Sequence, residues 1–173
     1  MAYIMRNSFL LNFGLSLACS LTLLVPVKTS SAQTQDASSR STNSDTKCEP
    51  TPADYLGPFY KAGAPVRSRV GKGYQLTGLV ISSADCTPIA EAVIELWLTG
   101  PGGSYDDDHR ATIFSNDLGQ YQFESNFPPG YSGRPPHIHI QVSADGFKTL
   151  ATQHYPEAGH KAGEFDLVLV PTD

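Results

Sequence analysis

From residue 74 onward the chain is patterned in twos. Tyr74–Ser82 and Ala92–Leu98 are rich in Val, Ile, Leu and Trp, and Gln120–Glu124 alternates polar with aromatic side chains. His137–Val142 alternates strictly, with Ile138, Ile140 and Val142 on one face and His137, His139 and Gln141 on the other. Phe147–His154 and Phe165–Val170 complete the set, and Asp117-Leu118-Gly119, Pro129-Gly130 and Asp145-Gly146 supply turn chemistry between runs. No window carries a persuasive helical period. Short strands at this spacing predict an all-β fold, a single-domain antiparallel β-sandwich. There is no internal repeat and no Asn-x-Ser/Thr acceptor.

The first part of the chain follows a different rule. Arg6 precedes a nearly unbroken apolar run, Phe9 to Val27, and Ser30-Ser31-Ala32 places small residues where a signal peptidase reads. Residues 1–32 are therefore expected to be a secretory signal peptide, which puts the protein in a secreted or periplasmic setting. A retained membrane anchor is the alternative reading of the same run. Residues 33–47 carry almost no apolar side chains and are expected to be a disordered linker, with the domain at 48–173.

Composition narrows the partners. The whole chain has a net charge of −5, and loss of residues 1–32 removes Arg6 and Lys28 but no acid, leaving about −7. Without a basic stripe, nucleic acid is excluded as an expected partner, as is stable membrane insertion once the leader is gone. Cys19 leaves with the leader. Cys48 and Cys86 remain as an even pair in an oxidising compartment, which predicts one disulfide. Closing a loop of that size is worth roughly 4 kcal/mol in the chain-entropy model.

The candidate chemistry centres on Arg134-Pro135-Pro136-His137-Ile138-His139. Histidines at i and i+2 on a strand leave one face about 6.7 Å apart along the backbone, and their rings can converge on one ion. No acid lies close in sequence to complete a two-histidine, one-carboxylate site. Tyr105 and Tyr131, each beside glycine in a turn, are the remaining anionic candidates, or else packing residues. Asp106-Asp107-Asp108 lacks the further oxygen ligands of a calcium loop and reads as a solvated loop. Trp97 reads as core, His154 and His160 as surface, and Gly57-Pro58-Phe59-Tyr60 either as pocket mouth or as a packed N-terminal arm.

These pieces, in this order, carry a resemblance. Leu56-Gly57-Pro58-Phe59-Tyr60, Ala92–Trp97, Gly103-Ser104-Tyr105, Asn116–Phe123, Pro129-Gly130-Tyr131, Arg134–His139 and Thr152-Gln153 together resemble the intradiol ring-cleavage dioxygenases, the catechol and protocatechuate dioxygenase family. The resemblance implies four ligands, Tyr105, Tyr131, His137 and His139, around non-heme Fe(III). It implies that Tyr131 is released when substrate binds, that Arg134 faces substrate and that Gln153 lines the pocket. The activity implied is O₂-dependent opening of catechol-type aromatic diols to muconate-type diacids. Only five residues separate Tyr131 from His137, a shorter loop than in the catabolic members, so a more open site is expected. Independent chemistry agrees: holding a phenol as phenolate at pH 7 costs about 4 kcal/mol, and offsetting that twice calls for a hard, highly charged cation. Two other classes compete, a non-catalytic transthyretin-like binding module and a secreted zinc or copper protein.

Overall fold

Every run with period two becomes a strand in the computed structural model, which describes residues 47–173. The eight strands are β1 (Tyr74–Ser82), β2 (Val93–Leu98), β3 (Arg110–Phe114), β4 (Gln120–Ser125), β5 (Ile138–Ser143), β6 (Leu150–His154), β7 (Ala162–Glu164) and β8 (Leu167–Leu169). The signal peptide expected at 1–32 and the linker expected at 33–47 lie, but for Lys47, outside the described residues. Two strands escaped the sequence reading. In β3 the outward positions Arg110 and Thr112 are themselves buried, which blurs the alternation, and β7 is a three-residue polar strand held only by its pairing with Gln75–Thr77.

The strands form two four-stranded sheets. One runs β3-β2-β5-β6 and is antiparallel throughout. The other is centred on β1, which pairs antiparallel with β4 on one side and parallel with β7 and β8 on the other. The sandwich is thus antiparallel-rich, with one mixed sheet. Between the sheets lies a continuous apolar core that includes Leu76, Val80, Ile94, Leu96, Leu98, Phe123, Ile138, Ile140, Leu167 and Leu169, all buried. Burying each of these side chains is worth about 1.5–3 kcal/mol, so the strict alternation of β2 and β5 fixes their register. With Ile138, Ile140 and Val142 in the core, His139 and Gln141 must point out of the sandwich.

They do not point into water, because an arm covers them. The predicted Cys48–Cys86 disulfide forms, with Cα atoms 5.4 Å apart, and pins the start of the arm. From there Thr51 N donates to Val168 O, Thr152 Oγ1 to Pro52 O at 2.9 Å, and Asp54 N to Ala151 O at 2.9 Å. Further on, Tyr60 packs on Trp97 and donates to Glu95 at 2.8 Å, and Val66 bridges to Thr112 on β3. The arm therefore crosses the outer face of the β3-β2-β5-β6 sheet from edge to edge. Both readings of Gly57–Tyr60 hold: the segment is a packed arm, and it lines a mouth.

Candidate metal centre under the arm

Beneath the arm, three predicted ligands meet. The Tyr105 hydroxyl lies 3.0 Å from His137 Nε2 and 3.1 Å from His139 Nε2. Both histidines are buried. His137 Nδ1 lies 2.7 Å from the Pro135 carbonyl, which can only accept, so Nδ1 carries the proton and Nε2 presents a lone pair. His139 Nδ1 is buried without a well-aligned partner, and the ring stacks on Trp97 at 5.0 Å with planes 1° apart. Burial, with His137 adding to it, pushes the His139 pKa down to about 4, against the pull of the Tyr55 carbonyl and Asp54, so the imidazole is neutral at pH 7.

The phenol oxygen and the two imidazole nitrogens converge at about 3 Å, each an atom that can turn a lone pair to a common ion. Ligand atoms held about 2 Å from a common ion at near right angles lie that far apart. Burial raises the Tyr105 pKa to about 12, with Arg134 lowering and Tyr131 raising it, so this phenol ionises at neutral pH only beside a strong cation. Among the described residues no three or more His, Cys, Asp or Glu side chains come together to hold a metal, which leaves tyrosine as the partner of these imidazoles. The residues present fit a hard, highly charged ion.

Tyr131 is placed differently. Its ring stands edge-on to Tyr105 with centroids 5.5 Å apart, and its hydroxyl bonds to none of the three converging atoms. The short loop is the cause. Tyr131 and Arg134 pair backbone to backbone across a two-residue turn, Ser132-Gly133, at φ of 49° and 80°, the positive-φ pair of a type I′ hairpin.

Arg134 leaves this hairpin toward the sheet. Its Nη2 donates to Gln153 Oε1 at 2.8 Å and to the Tyr155 hydroxyl at 3.0 Å. Gln153 pairs directly with His139 across β5 and β6 and is buried, and its Nε2 donates to the Tyr55 carbonyl at 2.6 Å. Both ends of that amide are engaged, so Gln153 orients Arg134 more than it lines a cavity. The Tyr155 hydroxyl donates to Asp54 Oδ2 at 2.8 Å. Burial raises the Asp54 pKa, but hydrogen bonds from the Tyr55 amide and Tyr155, together with the Arg134 charge, hold it below the usual carboxylate range.

Three residues gain roles the sequence did not disclose, and a fourth, Phe59, takes the pocket-mouth place expected of its segment. Phe59 stacks on Tyr105 at 4.4 Å and meets Tyr131 edge-on at 5.4 Å, walling the mouth. Trp97 is buried as expected, but on the outer face of β2, where it backs His139 instead of joining the inter-sheet core. Tyr155 stands two residues after Gln153, and the i+2 rule that found the histidines would have found it. Asp54 carries no sequence signal at all. His154 is corrected from surface to half-buried, its Nε2 2.6 Å from the Tyr74 hydroxyl. Asp106 caps a 3-10 turn at Asp107–His109 and Asp107 pairs with Lys61 at 3.0 Å, so the acidic loop is solvent-facing but anchors the arm. Gly57, at φ +78°, passes so close to His139 that a Cβ there would lie 2.8 Å from Cε1.

Comparison with known proteins finds relatives in both sequence and fold. Chlorocatechol 1,2-dioxygenase of Pseudomonas sp. (strain P51) is 31% identical over 136 aligned positions, covering 60% of this chain and 54% of the relative. Catechol 1,2-dioxygenase 2 of Acinetobacter lwoffii is 33% identical over 138, covering 60% and 50%. Among solved structures, the dioxygenase domain of a dioxygenase–carbohydrate-binding fusion from Streptomyces sp. SirexAA-E superposes with a TM-score of 0.65 at 27% identity, over 72% of this chain and 100% of that one. In sequence and in fold the chain is similar to the intradiol ring-cleavage dioxygenases. An intradiol dioxygenase from Tetranychus urticae shares the fold at 18% identity, with a TM-score of 0.65 over 73% of this chain and 97% of that one. No family model matches. The chain spans about half the length of the curated relatives it matches.

Proposed function

We propose that the protein is a secreted non-heme Fe(III) dioxygenase that opens catechol-type diols with O₂ between the hydroxyl-bearing carbons, giving muconate-type diacids. The observation that carries this reading is the convergence of the Tyr105 hydroxyl with His137 Nε2 and His139 Nε2 under the arm. Bound there, iron(III) would supply a hard Lewis acid for the diol oxygens and would polarise the ring toward O₂. His137 and His139 hold it as neutral donors, their tautomer fixed at His137 by the Pro135 carbonyl. Tyr105 holds it as phenolate, giving up its proton on loading. Tyr131, on the half-exposed hairpin, would be the exchangeable ligand: its phenolate oxygen would take up one of the two protons of the incoming diol, and a hydroxide bound beside it the other. Arg134, fixed by Gln153 and Tyr155, offsets negative charge that develops on the ring carbon under attack. Phe59 shields Tyr105 from water on the side of the mouth.

Export is supported by the apolar leader and by the Cys48–Cys86 bond, which belongs to an oxidising compartment. Metal analysis, visible absorption and oxygen uptake on one sample test the whole reading. Stoichiometric iron, a broad tyrosinate charge-transfer band and catechol-dependent uptake are expected. A colourless protein holding zinc that consumes no oxygen would replace the reading with a zinc site.

A further inference from the structure

The arm contributes two acceptors to the neighbourhood of Arg134, and they do different work. The Tyr155 hydroxyl has one proton and three partners in reach: Asp54 Oδ2 at 2.8 Å, Gln153 Oε1 at 3.2 Å and Arg134 Nη2 at 3.0 Å. Arginine can only donate, and a carboxylate is the stronger acceptor of the other two, so the proton goes to Asp54. That leaves the phenol oxygen free to accept from Arg134, and it leaves Gln153 Oε1 uncontested for the same guanidinium at 2.8 Å. The Gln153 amide is held in this sense by the next arm residue, since its Nε2 donates to the Tyr55 carbonyl. Asp54 itself is fixed through its backbone, which donates to Ala151 O on β6.

We propose that Asp54, acting through Tyr155, is a positioning residue for Arg134, a role that rests on the dioxygenase reading. The arm's Asp54-Tyr55 pair orients both acceptors that aim the guanidinium at the mouth. Without the carboxylate, the Tyr155 proton turns to Gln153 Oε1 and competes for the acceptor Arg134 uses. Without the hydroxyl, Arg134 keeps one partner of two. Neither change removes a hydrogen bond of His137, His139 or Tyr105, and Tyr155→Phe keeps the ring that packs beside His137. The chemistry of attachment stays, and the direction of the positive charge is lost.

Asp54→Ala, Tyr155→Phe and their double variant test this in the iron-loaded full chain, with crystal structures of each. Tyr155→Phe keeps every backbone contact of the arm, so it reports on aim even where Asp54→Ala disturbs folding. Expected are wild-type iron content and visible band, a catechol Kd within about 2-fold, and kcat lowered about 10-fold, as misplacement of a catalytic group does. The double variant should fall no further than the worse single, because both act through one guanidinium. Asp54→Glu should recover most of the turnover. In the crystals, Arg134 should leave Gln153 Oε1 in Asp54→Ala, and in Tyr155→Phe it should swing away from the vacated hydroxyl position about its remaining bond to Gln153. Arg134 unmoved, full turnover in either single variant, or multiplicative losses in the double would each overturn the proposal. A wild type that takes up no oxygen with catechol would instead sink the dioxygenase reading, and the position of Arg134 in the crystals would still decide the clamp.

Discussion

The two sheets share one core and both turn an alternating polar face outward, but those faces meet different surroundings. On the β1-centred sheet, Gln75, Gln120 and Gln122 stand in solvent, and nothing about them is unusual. On the other sheet the equivalent positions are His139, Gln153 and Trp97, each at 4% exposure or less, because the arm roofs them. Burying polar groups on an outward face costs free energy unless each finds a partner. Here most of the cost is met by Tyr105, Arg134, the Tyr55 carbonyl and the Glu95–Tyr60–Gln141 cluster, while His139 Nδ1 and Trp97 Nε1 stay without a well-aligned partner. The contrast teaches that in a sandwich the chemistry lies where an outward polar face is covered, not where the strands are most apolar.

Removing an imidazole tests the roofed face most severely. His139→Ala or His137→Ala takes away one of the ligands and is expected to leave little or no iron by metal analysis, with the visible band gone. Next in size is Arg134→Ala, which should retain iron, colour and catechol binding. Its oxygen uptake should drop about 10²–10³-fold, the usual cost of losing one preorganised electrostatic group. Gly57→Ala probes the roof itself. A methyl group at positive φ, directed at His139, is expected to cost about 1 kcal/mol or more and to lower both melting temperature and iron occupancy.

A smaller effect is expected where the two sheets meet at their edge. His154 lies half-buried with Nε2 against the Tyr74 hydroxyl, and burial holds its pKa below the usual value. The unfolded chain therefore takes a proton at His154 near pH 6.5 that the folded chain refuses, and stability falls as pH drops below that value. His154→Gln should lose less melting temperature than wild type between pH 7.5 and 5.5, measured on metal-free protein. The smallest effect belongs to the solvated face: Gln122→Ala should stay within about 0.5 kcal/mol in denaturant unfolding and leave iron content unchanged. A large loss there would erase the contrast between the faces.

The sequence made the strands legible because their inward residues alternate with few exceptions. Ile138-His139-Ile140 shows it in three letters, the flanking isoleucines assigning the histidine to the opposite face. The disulfide was legible from cysteine count alone. β7 was not legible, because a polar Ala-Gly-Glu strand exists only through its neighbour β1. At the site, His137, His139 and Tyr105 converge as their motifs imply, while Tyr131 approaches with its ring. The arm's contribution was the least visible. Asp54 and Tyr55 act through a carboxylate and a backbone carbonyl about a hundred residues away in sequence from Gln153 and Tyr155, and no local pattern encodes a contact of that kind.

The Ser132-Gly133 turn has a consequence for how this scaffold can be altered. Tyr131 and Arg134 face each other as the closing pair of a hairpin, so the register between them is set by backbone bonds and not by the two residues at the tip. Tips of hairpins accept inserted sequence with little penalty to the strands below, since lengthening a loop costs only a logarithmic entropy. Segments grafted between Ser132 and Gly133 would hang over the mouth while leaving the tyrosine and the arginine paired. That makes the turn a splice point, at which the range of diols admitted can be redrawn without rebuilding the centre beneath.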